Sequence, residues 1–118
     1  MKTAAQAYGN VATQTSSPRE LEANLLLEAA SRLQAAKDNT GEPLQTALNH
    51  NRKLWTLLLS AVTSNDNPLP KEVRQNVANL GLFVMKQTIA TIGDPKPEQL
   101  GSLININREI AGGLLARG

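Results

Sequence analysis

Between Glu42 and Val62 the chain places Leu44, Leu48, Asn51, Trp55, Leu58 and Val62 at steps of four, three, four, three and four. That spacing is the seam of a core-facing helix. Ala47, Leu54, Leu59 and Ala61 widen the same arc, so the amide of Asn51 stands in the middle of an apolar stripe. A polar group there either fixes how helices mate or belongs to a binding surface. Left unpaired in a core it would cost about 1–3 kcal/mol, so Asn51 needs a partner, internal or foreign.

The pattern predicts further helices on both sides. Ser16-Ser17-Pro18-Arg19-Glu20 is a helix start, with Ser17 as N-cap, Pro18 as first helical residue and Glu20 as third. A hydroxyl at the cap and a carboxylate three residues later satisfy each other's free amides. That helix runs to about Lys37, with Leu21, Leu25, Leu26, Ala29, Leu33 and Ala36 as one face and Leu27 outside it. Asp38-Asn39-Thr40-Gly41 is a turn cluster, and Ser64-Asn65-Asp66-Asn67-Pro68 is another. Pro70 opens a helix that reaches about Thr91 and has two apolar faces. One face carries Val73, Val77, Leu80 and Val84; the other carries Ala78, Leu82, Met85, Ile89 and Ile92. A helix apolar on two sides is expected to lie between neighbours, and Gly81 suits a close crossing.

Gly93-Asp94-Pro95-Lys96-Pro97 ends that helix. A last one follows from near Glu98 with Leu100, Leu103, Ile106, Ile110 and Leu114, and Gly112-Gly113 weakens its end. The alternation Ile104-Asn105-Ile106-Asn107 also fits a short strand, but no second strand exists to pair with it. Ahead of these elements, Ala4, Tyr8 and Val11 are compatible with a short helix over Thr3 to Gln14, with a loose arm as the alternative. The expected fold is all-α: a compact bundle of four main helices with short loops, with or without the short N-terminal one, in up-down order.

Composition agrees. The chain of 118 residues is long enough for one domain and too short for two. Apolar residues dominated by Leu and Ala, with only 3% aromatics, favour helices over a β-sandwich. No apolar run reaches the length of a membrane span, and no signal core follows Lys2. The net charge of +2 comes without a basic run longer than Arg52-Lys53, which speaks against nucleic acid. The absence of cysteine removes disulfides and thiolate metal sites and fits the cytoplasm.

Candidate chemistry is sparse. His50 is the one histidine and projects beside the apolar arc, as a surface residue would. No His, Asp or Glu pair has metal-ligand spacing, and Ser16 and Ser17 are accounted for by capping. Gly112-Gly113 follows a helical pattern where a phosphate loop would precede one. The expectation is a protein without catalytic, cofactor-binding or metal-binding residues. Asn107 completes a second seam with Leu103, Ile110 and Leu114. Two asparagines on two apolar seams suggest that Asn51 and Asn107 bond each other and set the register of their helices. Trp55 then reads as a packing anchor, although tryptophan also suits an interface hot spot.

Several stretches occur in a telling order. They are Ser17-Pro18-Arg19-Glu20-x-Glu22, Asn51-Arg52-x-Leu54-Trp55, Asn67-x-Leu69-Pro70-Lys71-Glu72-x-Arg74-x-Asn76, and Leu103-Ile104-x-Ile106-Asn107-x-x-Ile110-x-x-Gly113-Leu114. Tyr8, Gly81, Val84 and Lys86 accompany them. Each is weak alone, but together they cover nearly the whole chain, which resembles the FlaF family of flagellar-biosynthesis regulators of alphaproteobacteria. Asn105 departs from the pattern, where an acid is expected.

The resemblance implies a cytoplasmic, non-enzymatic protein that binds flagellin as a secretion chaperone or adaptor. It also implies a coupling to post-transcriptional control of flagellin synthesis, through a companion regulator that acts on flagellin messenger RNA. A direct RNA-binding translational regulator and a dimeric scaffold are the alternatives. A helical terminal segment of flagellin would lie in an apolar groove. Leu27, Leu57, Leu82, Met85 and Ile89 are apolar beyond what one stripe per helix requires, and are the partner-binding candidates. The N-terminal segment is the competing cover for them.

Overall fold

The computed structural model describes residues 17–39 and 41–117. Four helices follow one another: α1 Pro18–Ala36, α2 Glu42–Thr63, α3 Lys71–Gly93 and α4 Pro97–Arg117. No strand occurs among the described residues, and Ile104 to Asn107 is helical. The expected helix over Thr3 to Gln14 lies outside them.

The backbone of each helix runs close to those of two others. α1 packs on α2 and α4, and α3 packs on α2 and α4, while the α1–α3 and α2–α4 pairs have no backbone proximity. With short connections between successive helices, this is the ring of an antiparallel up-down bundle. The α1–α4 pair is the most extensive and α3–α4 the least.

The start of α1 is as its sequence dictates: the Glu20 backbone N–H donates to Ser17 Oγ at 3.2 Å, and Pro18 opens the helix. Its buried stripe differs from expectation. Ala23, Leu26, Ala29, Ala30, Leu33 and Ala36 are buried, while Leu21 and Leu25 are only partly so. The stripe is rotated towards the alanines because α1 lies closest to α4, and small side chains let two helix backbones approach.

The turn into α2 depends on Gly41, whose φ of 120° is the one positive value among the described residues; residues with a Cβ avoid that region. α2 then buries all six seam positions, Leu44, Leu48, Asn51, Trp55, Leu58 and Val62. At its far end Asn67 acts twice. Its Nδ2 donates to the Ala61 carbonyl at 3.0 Å, closing α2, and its Oδ1 accepts from the Leu69 N–H at 2.9 Å. That turn drives Leu69 into the core, where it is 5% exposed. Pro70 was expected inside α3 but is its N-cap, with ψ of 146°, so the chain enters still extended.

α3 is not a central helix. It buries Val77, Gly81, Val84, Thr88 and Thr91. Of its second apolar face, Leu82 and Ile89 are exposed, and Ala78, Met85 and Ile92 are partly buried. A ring of four helices has no central member, so one face of α3 is left to the outside. Gly81 is where α2 and α3 come together: a Cβ there would meet Leu59 Cδ2 at 2.5 Å and Trp55 Cε3 at 3.2 Å. α4 buries Leu100, Leu103, Ile104, Asn107, Ala111 and Leu114, and it runs through Gly112-Gly113 without a break.

Candidate functional site

The Asn51–Trp55 stretch builds a polar pin inside the core. Trp55 Nε1 donates to Asn107 Oδ1 at 2.9 Å, and Asn107 Nδ2 donates to Asn51 Oδ1 at 2.7 Å. Asn51 Nδ2 then donates to Thr88 Oγ1 at 3.4 Å, and the Thr88 hydroxyl donates to the Val84 carbonyl at 2.6 Å. All four side chains are fully buried. The chain of donors points one way, from indole to amide to amide to hydroxyl to backbone, so every member has a partner. It joins α2 to α4 across the bundle, where backbones do not meet, and joins α2 to α3.

Asn51 and Asn107 thus bond each other, as their seams suggest, and Trp55 sits in the core. Thr88 was not anticipated. Its signal lay in the register Val77, Gly81, Val84, Thr88, Thr91, which places two hydroxyls on the buried face of α3. A buried network of this kind is closed to solvent and satisfied internally, so it positions helices and leaves nothing over for a ligand.

His50 is half-buried, where a surface position was expected. It lies on the flank of α2 that faces α1, and its Nε2 is buried without a hydrogen-bond partner. Burial holds its pKa below the usual imidazole value, and Arg32 and Lys53 push the same way against the pull of Glu28. Glu22 on α1 goes the other way: burial raises its carboxyl above the usual range, and Arg19 offsets part of that. Among the described residues no group of three or more His, Cys, Asp or Glu could hold a metal ion. Nor is any described helix long and apolar enough to cross a membrane.

The apolar residues left outside the core are scattered over three helices. Leu82 is 66% exposed, Ile89 57% and Leu57 56%; Leu27 is just exposed, and Met85 is partly buried. Leu82, Met85 and Ile89 share one face of α3, and the Thr56 hydroxyl of α2 lies 3.9 Å from Met85 Sδ. Leu57 is two turns from His50 and shares its flank, on the α1 side of α2. Leu27 is on α1, whose backbone does not come near that of α3. The five candidates therefore form no single patch, and only the three on α3 make a continuous stripe. Phe83 and Leu115 are also exposed and were missed, since each falls between the seams. A separate cleft of about 150 Å³ lies between α3 and α4, lined by Val73, Val77, Ile110 and Leu114 among others.

These features define an all-α four-helix bundle whose central motif is structural and whose apolar excess lies on the outer helix surfaces. A family model described as flagellar protein FlaF matches residues 4–114. The chain belongs to the FlaF family. Neither a curated relative nor a solved structure matches it significantly. The residues that carry the family resemblance are largely those that build the bundle: the Ser17 cap, the Asn67 turn, and the Asn51–Trp55–Asn107 pin.

Proposed function

We propose that this protein is a cytoplasmic flagellin-binding secretion chaperone or adaptor, without enzymatic activity or cofactor. It holds a helical terminal segment of flagellin before export and couples that binding to post-transcriptional control, together with a companion flagellar regulator. Membership of a flagellar protein family supports the setting. The observation that carries the binding role is the pair of exposed apolar residues Leu82 and Ile89 on one face of α3, with the half-buried Met85 between them. Size-exclusion chromatography of the purified protein mixed with flagellin should yield a stoichiometric complex. Two separate peaks at micromolar concentrations would remove the chaperone reading.

One observation favours a second reading, a direct translational regulator that binds flagellin messenger RNA: α2 and α3 carry an excess of cations. Phosphate contacts make such binding steeply salt-dependent. Filter binding with flagellin leader RNA at two salt concentrations separates the readings.

A further inference from the structure

The positive charge of the protein is not evenly distributed over the bundle. α2 and α3 hold Arg52, Lys53, Lys71, Arg74 and Lys86 against two carboxylates, Glu42 and Glu72, both in first helical turns. α1 and α4 together hold four cations against five carboxylates. The linear sequence hides this, because the five cations are spread over two helices and the fold places those helices side by side. Among the described residues none of the five is in an ion pair, and Arg74 donates instead to the Ser64 carbonyl at 3.0 Å. Residues 1–16 contain no Asp or Glu that could supply one.

The exposed stripe lies within this basic layer. Ala78, Leu82, Met85, Ile89 and Ile92 recur at four, three, four and three, the seam of a helix that mates with another helix; Leu82 and Ile89 are its exposed members, while Ala78, Met85 and Ile92 are half-buried against the core. Lys86 follows Met85 on the outer margin and is exposed. On the inner margin is the α2 flank that reaches Met85 through Thr56. Arg52 is one turn before Thr56 on that flank, and its carbonyl accepts the Thr56 hydroxyl at 2.8 Å. Cations on both sides of an apolar seam are what the flanking positions of a helix pair use to select a partner with carboxylates.

We propose that the outer α2–α3 face is a docking site for an acidic amphipathic helix. The partner helix lays its apolar seam along Leu82, Met85 and Ile89 and its carboxylates against Arg52 and Lys86. At 1.5 Å per residue the α3 segment from Ala78 to Ile92, with Leu82 and Ile89 as its exposed members, matches a partner helix of about 15 residues. An RNA would use the cations but not the stripe; the exposed aromatic of α3, Phe83, lies outside the seam. An anionic membrane would use both, but the stripe is one side chain wide, the width of a helix seam. The proposal rests on the chaperone reading for the identity of its partner, not for the existence of the face.

The test uses the full-length protein and two labelled synthetic helices of about 15 residues. Both carry Leu and Ile at alternating steps of four and three; one has Glu at the flanking positions and the other Lys. Fluorescence anisotropy should show the Glu helix binding at least about tenfold tighter than the Lys helix, with the margin shrinking in high salt. Arg52→Glu with Lys86→Glu should reverse that preference, and Leu82→Glu with Ile89→Glu should abolish binding of both peptides while the melting temperature is unchanged. Equal binding of the two peptides, no binding of the Glu helix, or its undiminished binding to Leu82→Glu/Ile89→Glu would overturn the proposal. So would preferential binding of a single-stranded RNA, or of phosphatidylcholine–phosphatidylglycerol vesicles, that the same variants abolish. Flagellin is titrated in parallel. If the Glu helix binds and flagellin does not, the face stands and the chaperone reading falls. If flagellin binds and the Glu helix does not, this proposal falls and the chaperone reading stands.

Discussion

Trp55 and Asn107 illustrate how a single residue can hold a fold by different means. Trp55 contributes volume, so Trp55→Ala should destabilise the protein by about 3–5 kcal/mol through the cavity it leaves. Asn107 contributes two hydrogen bonds. Asn107→Ala strands the Trp55 indole N–H and the Asn51 carbonyl oxygen in the core, at about 1–3 kcal/mol for each group left unpaired. Urea denaturation measures both, and a loss below about 0.5 kcal/mol for Asn107→Ala would contradict the pin. Replacing Asn51 and Asn107 together by leucine should cost less than the sum of the single replacements, because no orphaned polar partner remains. His50 gives a pH signature. Its folded pKa lies below 6.5, so the unfolded chain binds its proton first, and stability falls as pH drops through 6.5 towards the folded value. Thermal melts at pH 7.5 and 5.5 should show a larger loss for the wild type than for His50→Gln. At the residue scale much was legible in advance: a seam in strict four-three steps with an amide in it asks for a partner amide, and a second such seam supplied one. Thr88 was not legible, because a threonine on a valine-rich face looks like any β-branched filler. The burial of His50 was not legible either, because it depends on how closely α1 approaches.

At the scale of elements, the helix starts and stops follow local chemistry: the Ser17 hydroxyl at α1, the left-handed Gly41 before α2, and the Asn67 amide after it. Such signals act within a few residues and are readable in order along the chain. The orientation of a helix about its own axis is different. α1 buries Ala23 and Ala30 in preference to Leu21 and Leu25 because of its neighbour α4, and no pattern internal to α1 contains that choice. α3 posed the same difficulty, since two apolar faces do not say which one the bundle will use. Gly81 marks the face that the bundle uses, because its missing Cβ leaves room for Leu59 and the Trp55 ring against α3. Gly81→Val should therefore destabilise by about 1–3 kcal/mol, as overpacking of a fixed contact does. An unchanged denaturation midpoint would mean that α2 and α3 can separate without loss.

For the whole molecule, the ring of helices separates two tasks. The interior carries the polar pin, in which every member has a partner. The exterior carries the exposed Leu82 and Ile89 and, among the described residues, cations of α2 and α3 without ion pairs. On the proposed function, partner binding lies away from the motif that first draws attention in the sequence, so stability and binding should be changeable independently. The measurement that tests this most directly is a calorimetric titration of flagellin into the wild type and into Leu82→Glu/Ile89→Glu, with melting curves recorded on the same samples. The wild type should bind stoichiometrically, and the variant should bind at least about tenfold more weakly at an unchanged melting temperature. Wild-type protein that takes up no flagellin, or a variant that binds as tightly as wild type, would contradict the account.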